Sequence, residues 1–509
     1  MKKIATALLS CALAAATLAG CAANAAQVPQ ESQEPHTAAL TATAAASVKS
    51  PKYVFLFIGD GMSYPQIQST SDYLGALKDA DYWQAQPSLD DNQGAILDGP
   101  EYLNFMNFEA AGSAVTYDSN SFAPDSASTA TSISTGHKTY SGSINVDETG
   151  TIEYETIAEQ LKAQKGWEIG VITSVNLNHA TPAAFYAHQA SRSSYYEIGL
   201  ELVESGFDYF AGGGLLKPTG SSGDQTDLYE LAQEAGYTVA KTHAEADAIG
   251  TNTEKAIIID EDLADSDAMA YELDRTDDMW ALADYVAKGI EVLDNDTGFF
   301  MMCEGGKIDW ACHANDAASS IHDTQALADA VQVAIDFAKE HADETLILVT
   351  GDHETGGLTI GFAGTDYDTY LDLLENQKIS FAKYDSDYVA SYKANKTPFE
   401  TVLADIEKLF GLKAQGEEGD KLVLTAYEME QLRAAYEKSI NGTASSQYDQ
   451  AEYVLYGTYE PLSVTITHII NNKSGISFTS YSHTGLPVAV LAHGVNAGQF
   501  NGYYDNTEI

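Results

Sequence analysis

Apolar residues come in short, nearly unbroken runs along much of this chain. Residues 52–61, KYVFLFIGDG, are β-branched and aromatic up to a Gly-Asp-Gly stop, the pattern of a buried strand feeding a turn. Similar runs recur as EIGVITS (168–174), KAIIID (255–260), GFFMMCEGG (298–306), TLILVTGDH (345–353) and PVAVLAHG (487–494). Between them, residues 154–165, 278–293 and 319–341 carry apolar positions at helical spacing. Strands that are apolar throughout, alternating with helices, predict an α/β fold: a large central, mostly parallel sheet with helices on both faces.

Residues from about 362 to 475 break this rhythm. They are richer in Tyr, Asp, Lys and Gln, and include the amphipathic stretches VLADIEKLFGL and TAYEMEQLRAAYEKSI. A strand-like pattern resumes beyond them with GISFTSYSHTGLPVAVLAHG. The segment therefore reads as a helical or irregular subdomain inserted into one sheet-forming domain, residues 51–509.

The first residues read as a targeting segment. Lys2 and Lys3 precede a short Ala-rich apolar core that ends in LAGC, residues 18–21. This resembles a bacterial lipoprotein cleavage box, with residues 1–20 as signal peptide and Cys21 as the acylated N-terminus. An ordinary secretory signal is the alternative. The expectation is an exported protein anchored by lipid to the cell envelope, on a flexible Ala/Thr/Ser-rich tether over residues 21–50.

Charge narrows the partners. The net charge is −48, from 74 acidic and 26 basic residues, which leaves no basic footprint for nucleic acid. An anion site in such a chain must be locally positive, since charges beyond roughly 8 Å are screened at physiological salt. Two of the four cysteines, Cys11 and Cys21, fall in the leader, so no disulfide framework is expected, and Cys303 and Cys312 read as buried thiols.

Polar residues of unusual type cluster just past the predicted strand ends, where open α/β sheets form their sites. Asp60 follows the first strand, Glu304 the GFFMMC run, and Asp352 with His353 the TLILVTG run. In CEGGKIDWACHAND, Asp309 and His313 are four apart, hence on one face of a helix, as two ligands of one metal require. His483 lies in SYSHTG. Carboxylates such as Glu304 suit a magnesium-type ion, and an Asp/His set suits zinc. Each residue alone has a structural explanation. Their joint placement at element ends is what points to metal.

The stretch FAPDSASTATSISTGHK, residues 122–138, is rich in hydroxyls with few breakers before Gly136. Pro124 lets a helix begin directly after it, so Ser126 would stand at the positive helix N-terminus, either as a nucleophile or, with Asp125, as a plain N-cap. No nearby histidine offers itself as a base, so metal activation is the natural partner. Arg192 ends HATPAAFYAHQASR, read as a helical run from Thr181-Pro182, and its planar fork suits two phosphate oxygens.

The ordered motifs FIGDGM, PDSASTATSISTGHKTYSG, HATPAAFYAHQASR, EGGKIDWACH, GDHETGG and YSHTG resemble those of the alkaline phosphatase family, over roughly residues 51–361 and 476–509. The resemblance implies a phosphomonoester hydrolase with two zinc ions and one magnesium ion in one cleft. Asp309, His313 and His483 would hold the first zinc. Asp352, His353 and Asp60 would hold the second, beside Ser126. Asp60, Thr181 and Glu304 would hold magnesium, and Arg192 would clamp the phosphoryl group during a double displacement through phosphoserine. The family also suggests a homodimer. Two positions depart from its best-known bacterial members: His179 stands where those have Asp, a possible ligand of the third ion, and Trp310 where they have Lys. Two other readings compete: a superfamily relative acting on phosphodiesters or sulfate esters, and a solute-binding lipoprotein without catalysis.

Overall fold

The structure is a computed structural model that describes residues 50–84, 96–442 and 445–509. The expected signal peptide, the acylation position Cys21 and the tether up to residue 49 lie outside the described residues. Among the described residues, no helix is long and apolar enough to cross a membrane.

Ten strands form one twisted sheet: β1 (Tyr53–Gly59), β2 (Ala110–Val115), β3 (Glu168–Asn176), β4 (Tyr209–Gly213), β5 (Thr238–Ala240), β6 (Ala256–Ile259), β7 (Phe299–Gly305), β8 (Thr345–Gly351), β13 (Val488–Gly494) and β14 (Gly502–Asp505). The short β9 (Glu354–Thr355), β10 (Thr359–Ile360), β11 (Ile476–Ser477) and β12 (His483–Thr484) pair outside it, β9 with β12 and β10 with β11. The sheet order is β14-β2-β13-β8-β1-β7-β3-β4-β6-β5. Every pairing is parallel except those of β13, which runs antiparallel to both β2 and β8. The fold is thus the expected α/β arrangement around a large, mostly parallel sheet.

Alternation within the strands feeds two cores. Phe55 and Phe57 of β1 face one side, with Met301 of β7 and the helices Leu282–Leu293 and Ala317–Glu340. Leu56 and Ile58 face the other, with Val171, Phe300 and the helices Ser126–Thr135 and Tyr195–Ser205. A strand buried on both faces cannot show a polar alternation, which is why these runs are apolar throughout.

Four strands of the sheet have no counterpart in the sequence reading: β2, β4, β5 and β14. They are short or built of small residues. At Gly112 in β2, a Cβ would lie 2.1 Å from the Phe500 carbonyl oxygen, so the strand needs glycine where propensity disfavours it. The helix expected from residue 154 starts at Ile157, because Thr156 caps it in a reciprocal box with Glu159.

The segment 362–475 folds mainly as helices, among them Phe399–Phe410, Ala426–Asn441 and Pro461–Ser474. Its flanks are joined by the β10–β11 ladder, Thr359 opposite Ser477. Leu462, Ile466 and Ile470 share one apolar cluster with Ala317, Ala318 and Ile321, at the start of a helix of the main domain. Polar bonds add to this. The Gln377 Nε2 and the Phe381 N–H donate to Asp316 (2.8 and 2.9 Å), and Asn471 Nδ2 donates to the Asn315 carbonyl (2.7 Å). The segment therefore grips Asn315 and Asp316, two and three residues past the end of the Lys307–His313 helix and its candidate ligands.

Candidate active site

Sheet register sets the first ligands. Gly59 of β1 lies opposite Gly351 of β8 and Gly305 of β7, so Asp60 and Asp352, each one residue past its strand, emerge side by side. Glu304, still within β7, lies opposite Ile58 and, on the other flank, Thr173. The chain turns sharply at Gly61 (φ +70°), where a Cβ would come within 2.8 Å of Thr355 Oγ1 and 3.0 Å of Asp309 Oδ1. Glycine is required there by both conformation and space.

The Lys307–His313 helix brings Asp309 and His313 onto one face. His483 reaches the same point from β12. The His313 Nδ1–H donates to the Tyr481 carbonyl and the His483 Nδ1–H to the Pro124 carbonyl, both at 2.6 Å. These bonds fix the tautomers, so both Nε2 atoms carry lone pairs. They face each other at 3.1 Å, with Asp309 oxygens 3.4 and 3.5 Å away. Burial holds His313 below the usual imidazole range, which keeps the ring neutral.

A second convergence joins Asp60, Asp352 and His353. Thr355 Oγ1 donates to Asp309 Oδ1 at 2.5 Å, so its lone pairs are left to accept from His353 Nδ1–H at 3.3 Å. His353 Nε2 then presents a lone pair 3.2 Å from Asp60 Oδ1 and 3.4 Å from Asp352 Oδ2, with all three side chains buried. Thr129 donates to Asp352 Oδ2 (3.0 Å), and the Gly61 and His353 N–H groups donate to its Oδ1.

The third convergence is Asp60, His179 and Glu304, with a donor atom from each within 4.8 Å of the others. Thr181 Oγ1 is 3.5 Å from Asp60 Oδ2. Thr173 bonds one Glu304 oxygen, while Oε1 is buried without a hydrogen-bond partner among the described residues, as is His179 Nδ1. Burial, reinforced by Asp352, Asp309 and Glu304, pushes Asp60 well above the usual carboxylate range. Burial pushes Glu304 up to about 7. Burial, with Arg192 next, drives His179 down to about 3.

These three sets pass one test of fit. In the first two, lone pairs point at lone pairs at contact distances, and in the third a buried carboxylate oxygen has no partner. Buried acceptors without donors cost on the order of 1–3 kcal/mol each, more for charged groups. Divalent cations remove that cost, and Asp/His sets suit zinc while Asp, Glu and Thr oxygens suit magnesium.

Ser126 lies among these sets. Its helix runs Ser126–Thr135 and is capped by Asp125, whose Oδ1 accepts the Ser128 N–H at 3.1 Å. Ser126 Oγ is 3.2 Å from His353 Nε2 and 3.4 Å from Asp60 Oδ1, and the residue is buried. The two sequence readings are thus divided between neighbours: Asp125 caps, and Ser126 occupies the first helical position with its hydroxyl in the cleft.

Arg192 corrects one expectation. It does not end a helical run. Helix is confined to Ala180–Ala183, turns follow to Tyr186, and the remainder is tied by the Ile144–Gln189 bridge and by the Arg192 N–H donating to the Gly142 carbonyl (2.7 Å). Tertiary contacts override the helical spacing there. The guanidinium still enters the cleft. Nη1 donates to Asp125 Oδ2 at 2.9 Å and Nη2 lies 3.3 Å from His179 Nε2. Asp125 therefore both caps the serine helix and aims the arginine, a double role that its place just before Ser126 hints at only for the cap. Cys303 and Cys312 are buried and free.

The cleft measures about 380 Å³ and is lined by Ser126, Arg192, His179, Asp309, His313 and His483 on its polar side. Its other side is aromatic: Tyr271, Trp310, Phe381 and Tyr459. Sequence reading singled out only Trp310 of this wall, because Tyr271, Phe381 and Tyr459 lie in segments with no motif of their own.

A family model described as alkaline phosphatase matches residues 51–509. Alkaline phosphatase 3 of Bacillus subtilis (strain 168) is 30% identical over 472 residues, covering 90% of this chain and 87% of that protein. Among solved structures, the cold-active alkaline phosphatase from the psychrophile Shewanella sp. superposes with a TM-score of 0.68 at 28% identity, covering 89% of this chain and 97% of that one. The Thermus thermophilus alkaline phosphatase shares the fold with a TM-score of 0.71 at 22% identity, covering 90% of each chain.

Proposed function

The chain belongs to the alkaline phosphatase family, and on that premise we propose that it hydrolyses phosphate monoesters through a phosphoserine on Ser126. The observation that carries the reading is the position of Ser126 Oγ, buried at a helix N-terminus between His353 and Asp60. Asp309, His313 and His483 would hold one zinc ion, and Asp60, Asp352 and His353 a second. Asp60, Glu304 and Thr181, with His179 beside them, would hold magnesium. Bound there, the ions supply the positive charge that makes a serine hydroxyl acidic, stabilises a leaving oxygen and offsets the −48 net charge for an incoming dianion.

The chain's own residues account for the remainder. Arg192, held by Asp125, grips two phosphoryl oxygens and turns phosphorus toward Ser126 Oγ. The serine oxygen bonds to phosphorus as the bond to the alcohol oxygen breaks, and the alcohol departs with a proton. Water then attacks phosphorus from the side the alcohol left, the bond to Ser126 Oγ breaks, and inorganic phosphate is released. The backbone N–H groups of the first helical turn favour the anion throughout. Placement of the enzyme in the cell envelope, anchored through Cys21, is part of the same proposal and rests on the LAGC box. So is a homodimer, which rests on the family alone.

A panel of p-nitrophenyl phosphate, bis(p-nitrophenyl) phosphate and p-nitrophenyl sulfate tests the reading. The monoester is expected to be cleaved fastest, and EDTA is expected to abolish cleavage until zinc and magnesium are restored. Faster turnover of the diester or the sulfate would refute the substrate class. Ligand binding without turnover would favour a solute-binding protein.

A further inference from the structure

The aromatic side of the cleft forms a continuous belt. Trp310 meets His179 edge-on, with ring centroids 5.9 Å apart. Tyr271 meets Phe381 at 5.7 Å and 65°, and Phe381 meets Tyr459 at 5.8 Å and 83°. Lys307, buried and ion-paired to Asp265 at 2.6 Å, sets its ammonium 4.0 Å from the Tyr271 ring centre and 4.6 Å from that of Trp310. A desolvated cation is attracted to the faces of both rings, which holds these two rings in place. Tyr459 reaches the first metal set: its ring lies 6.1 Å from that of Tyr481, whose carbonyl orients His313. The belt thus runs from the first metal set at its Tyr459 end to His179 at its Trp310 end, and lines the same cleft as Ser126, where the alcohol of a bound ester has to lie. Phe381 and Tyr459 come from the segment 362–475, which sequence analysis leaves without a role.

We propose that this belt is a leaving-group subsite that favours phosphomonoesters of alcohols bearing a flat aromatic group over equally bulky saturated ones. The inference rests on the phosphomonoesterase reading above. Edge-to-face and offset ring contacts reward a planar guest beyond the area it buries, and a saturated ring of the same size collects only the burial. The insertion thus acts on selectivity, through two rings carried over the cleft, and not on the chemistry at phosphorus.

The experiment uses the full, metal-loaded protein. Benzyl phosphate and cyclohexylmethyl phosphate match in size and closely in leaving-group acidity, so the ratio of their kcat/KM values isolates aromaticity. The corresponding phosphonates, titrated calorimetrically, give the same ratio without turnover. Benzyl is expected to lead by about two- to tenfold in both measurements. Phe381→Leu and Tyr459→Leu should each move the ratio toward one. Because the ratio is internal to each variant, any general loss of activity or folded fraction cancels. A ratio of one in the unaltered protein would overturn the subsite, as would a preference that survives in both variants. If no ester is cleaved at all, the phosphomonoesterase reading fails, and the phosphonate ratio still decides whether the belt selects aromatic groups.

Discussion

His188 offers a test of how the arginine strand is held. Its ring lies between two carboxylates, Nε2 at 3.5 Å from Glu159 and Nδ1 at 3.6 Å from Glu201, while its backbone N–H donates to Glu201 at 2.5 Å. Glu159 belongs to the Ile157–Lys165 helix and Glu201 to Tyr195–Ser205, so one imidazolium joins two helices to the connecting stretch that carries Arg192. Burial opposes charging the ring, but the hydrogen bonds and charges of Glu159 and Glu201 outweigh it and push His188 up to about 10. The sign follows from linkage. A histidine raised in the folded state stabilises fully below its unfolded value of about 6.5, and that stability drains away as pH rises through about 10. Unscreened, such a shift would correspond to roughly 5 kcal/mol. The carboxylates are part-exposed, 31% and 24%, so solvent screening leaves about 1–2 kcal/mol. Urea unfolding of the wild type and His188→Gln, at pH 6, 8, 10 and 11, reads this directly. The wild type is expected to be more stable by about 1–2 kcal/mol at pH 6, with the gap already smaller at pH 8 and nearly gone at pH 10 and 11. A gap of the same size at pH 6 and pH 11 would show that His188 contributes packing and not charge, and would refute the argument.

Three further tests follow from the cleft. Ser126→Ala should lower kcat/KM by about three orders of magnitude or more while metal content stays at the wild-type level; full activity would remove the serine from the chemistry. Arg192→Ala should cost about 1.5–3 kcal/mol in kcat/KM, roughly ten- to 150-fold, measured at low substrate; an unchanged value would end its role as phosphoryl clamp. Asp125→Ala should lose the helix cap and destabilise the protein by about 1 kcal/mol, whereas Asp125→Asn, which can still cap, should lose only a few tenths. Both variants should weaken inhibition by inorganic phosphate, because Arg192 is no longer aimed; phosphate inhibition unchanged in either would contradict that part of the assignment.

Much of the site is legible in the chain because its cues are local. Asp309 and His313 share a face by helical spacing alone, and Asp60 and Asp352 stand where apolar runs stop, which in a parallel sheet is the crevice edge. The cap at Asp125 needs only Pro124 before it and a helix after it. The misses share a cause. Residues 180–192 have helical composition, yet helix stops at Ala183, and the Ile144–Gln189 bridge and the grip on His188 hold the remainder in turns and a bridge. Strand β2 is Ala, Gly and Ser up to its last residue, Val115, and is held as a strand by β13 and β14 on its two flanks.

By itself, then, the sequence determined the class of fold, the ends of its central strands, and which side chains are chemically able to hold cations or attack phosphorus. These depend on periodicity, caps and residue type, which act over a few residues. The tertiary structure alone decided that β13 runs antiparallel, that the Pro124 and Tyr481 carbonyls turn two histidines so their Nε2 atoms meet, and that Phe381 and Tyr459 overhang the cleft. Each of those facts joins residues far apart in the chain, and only packing of the whole molecule brings such partners within reach.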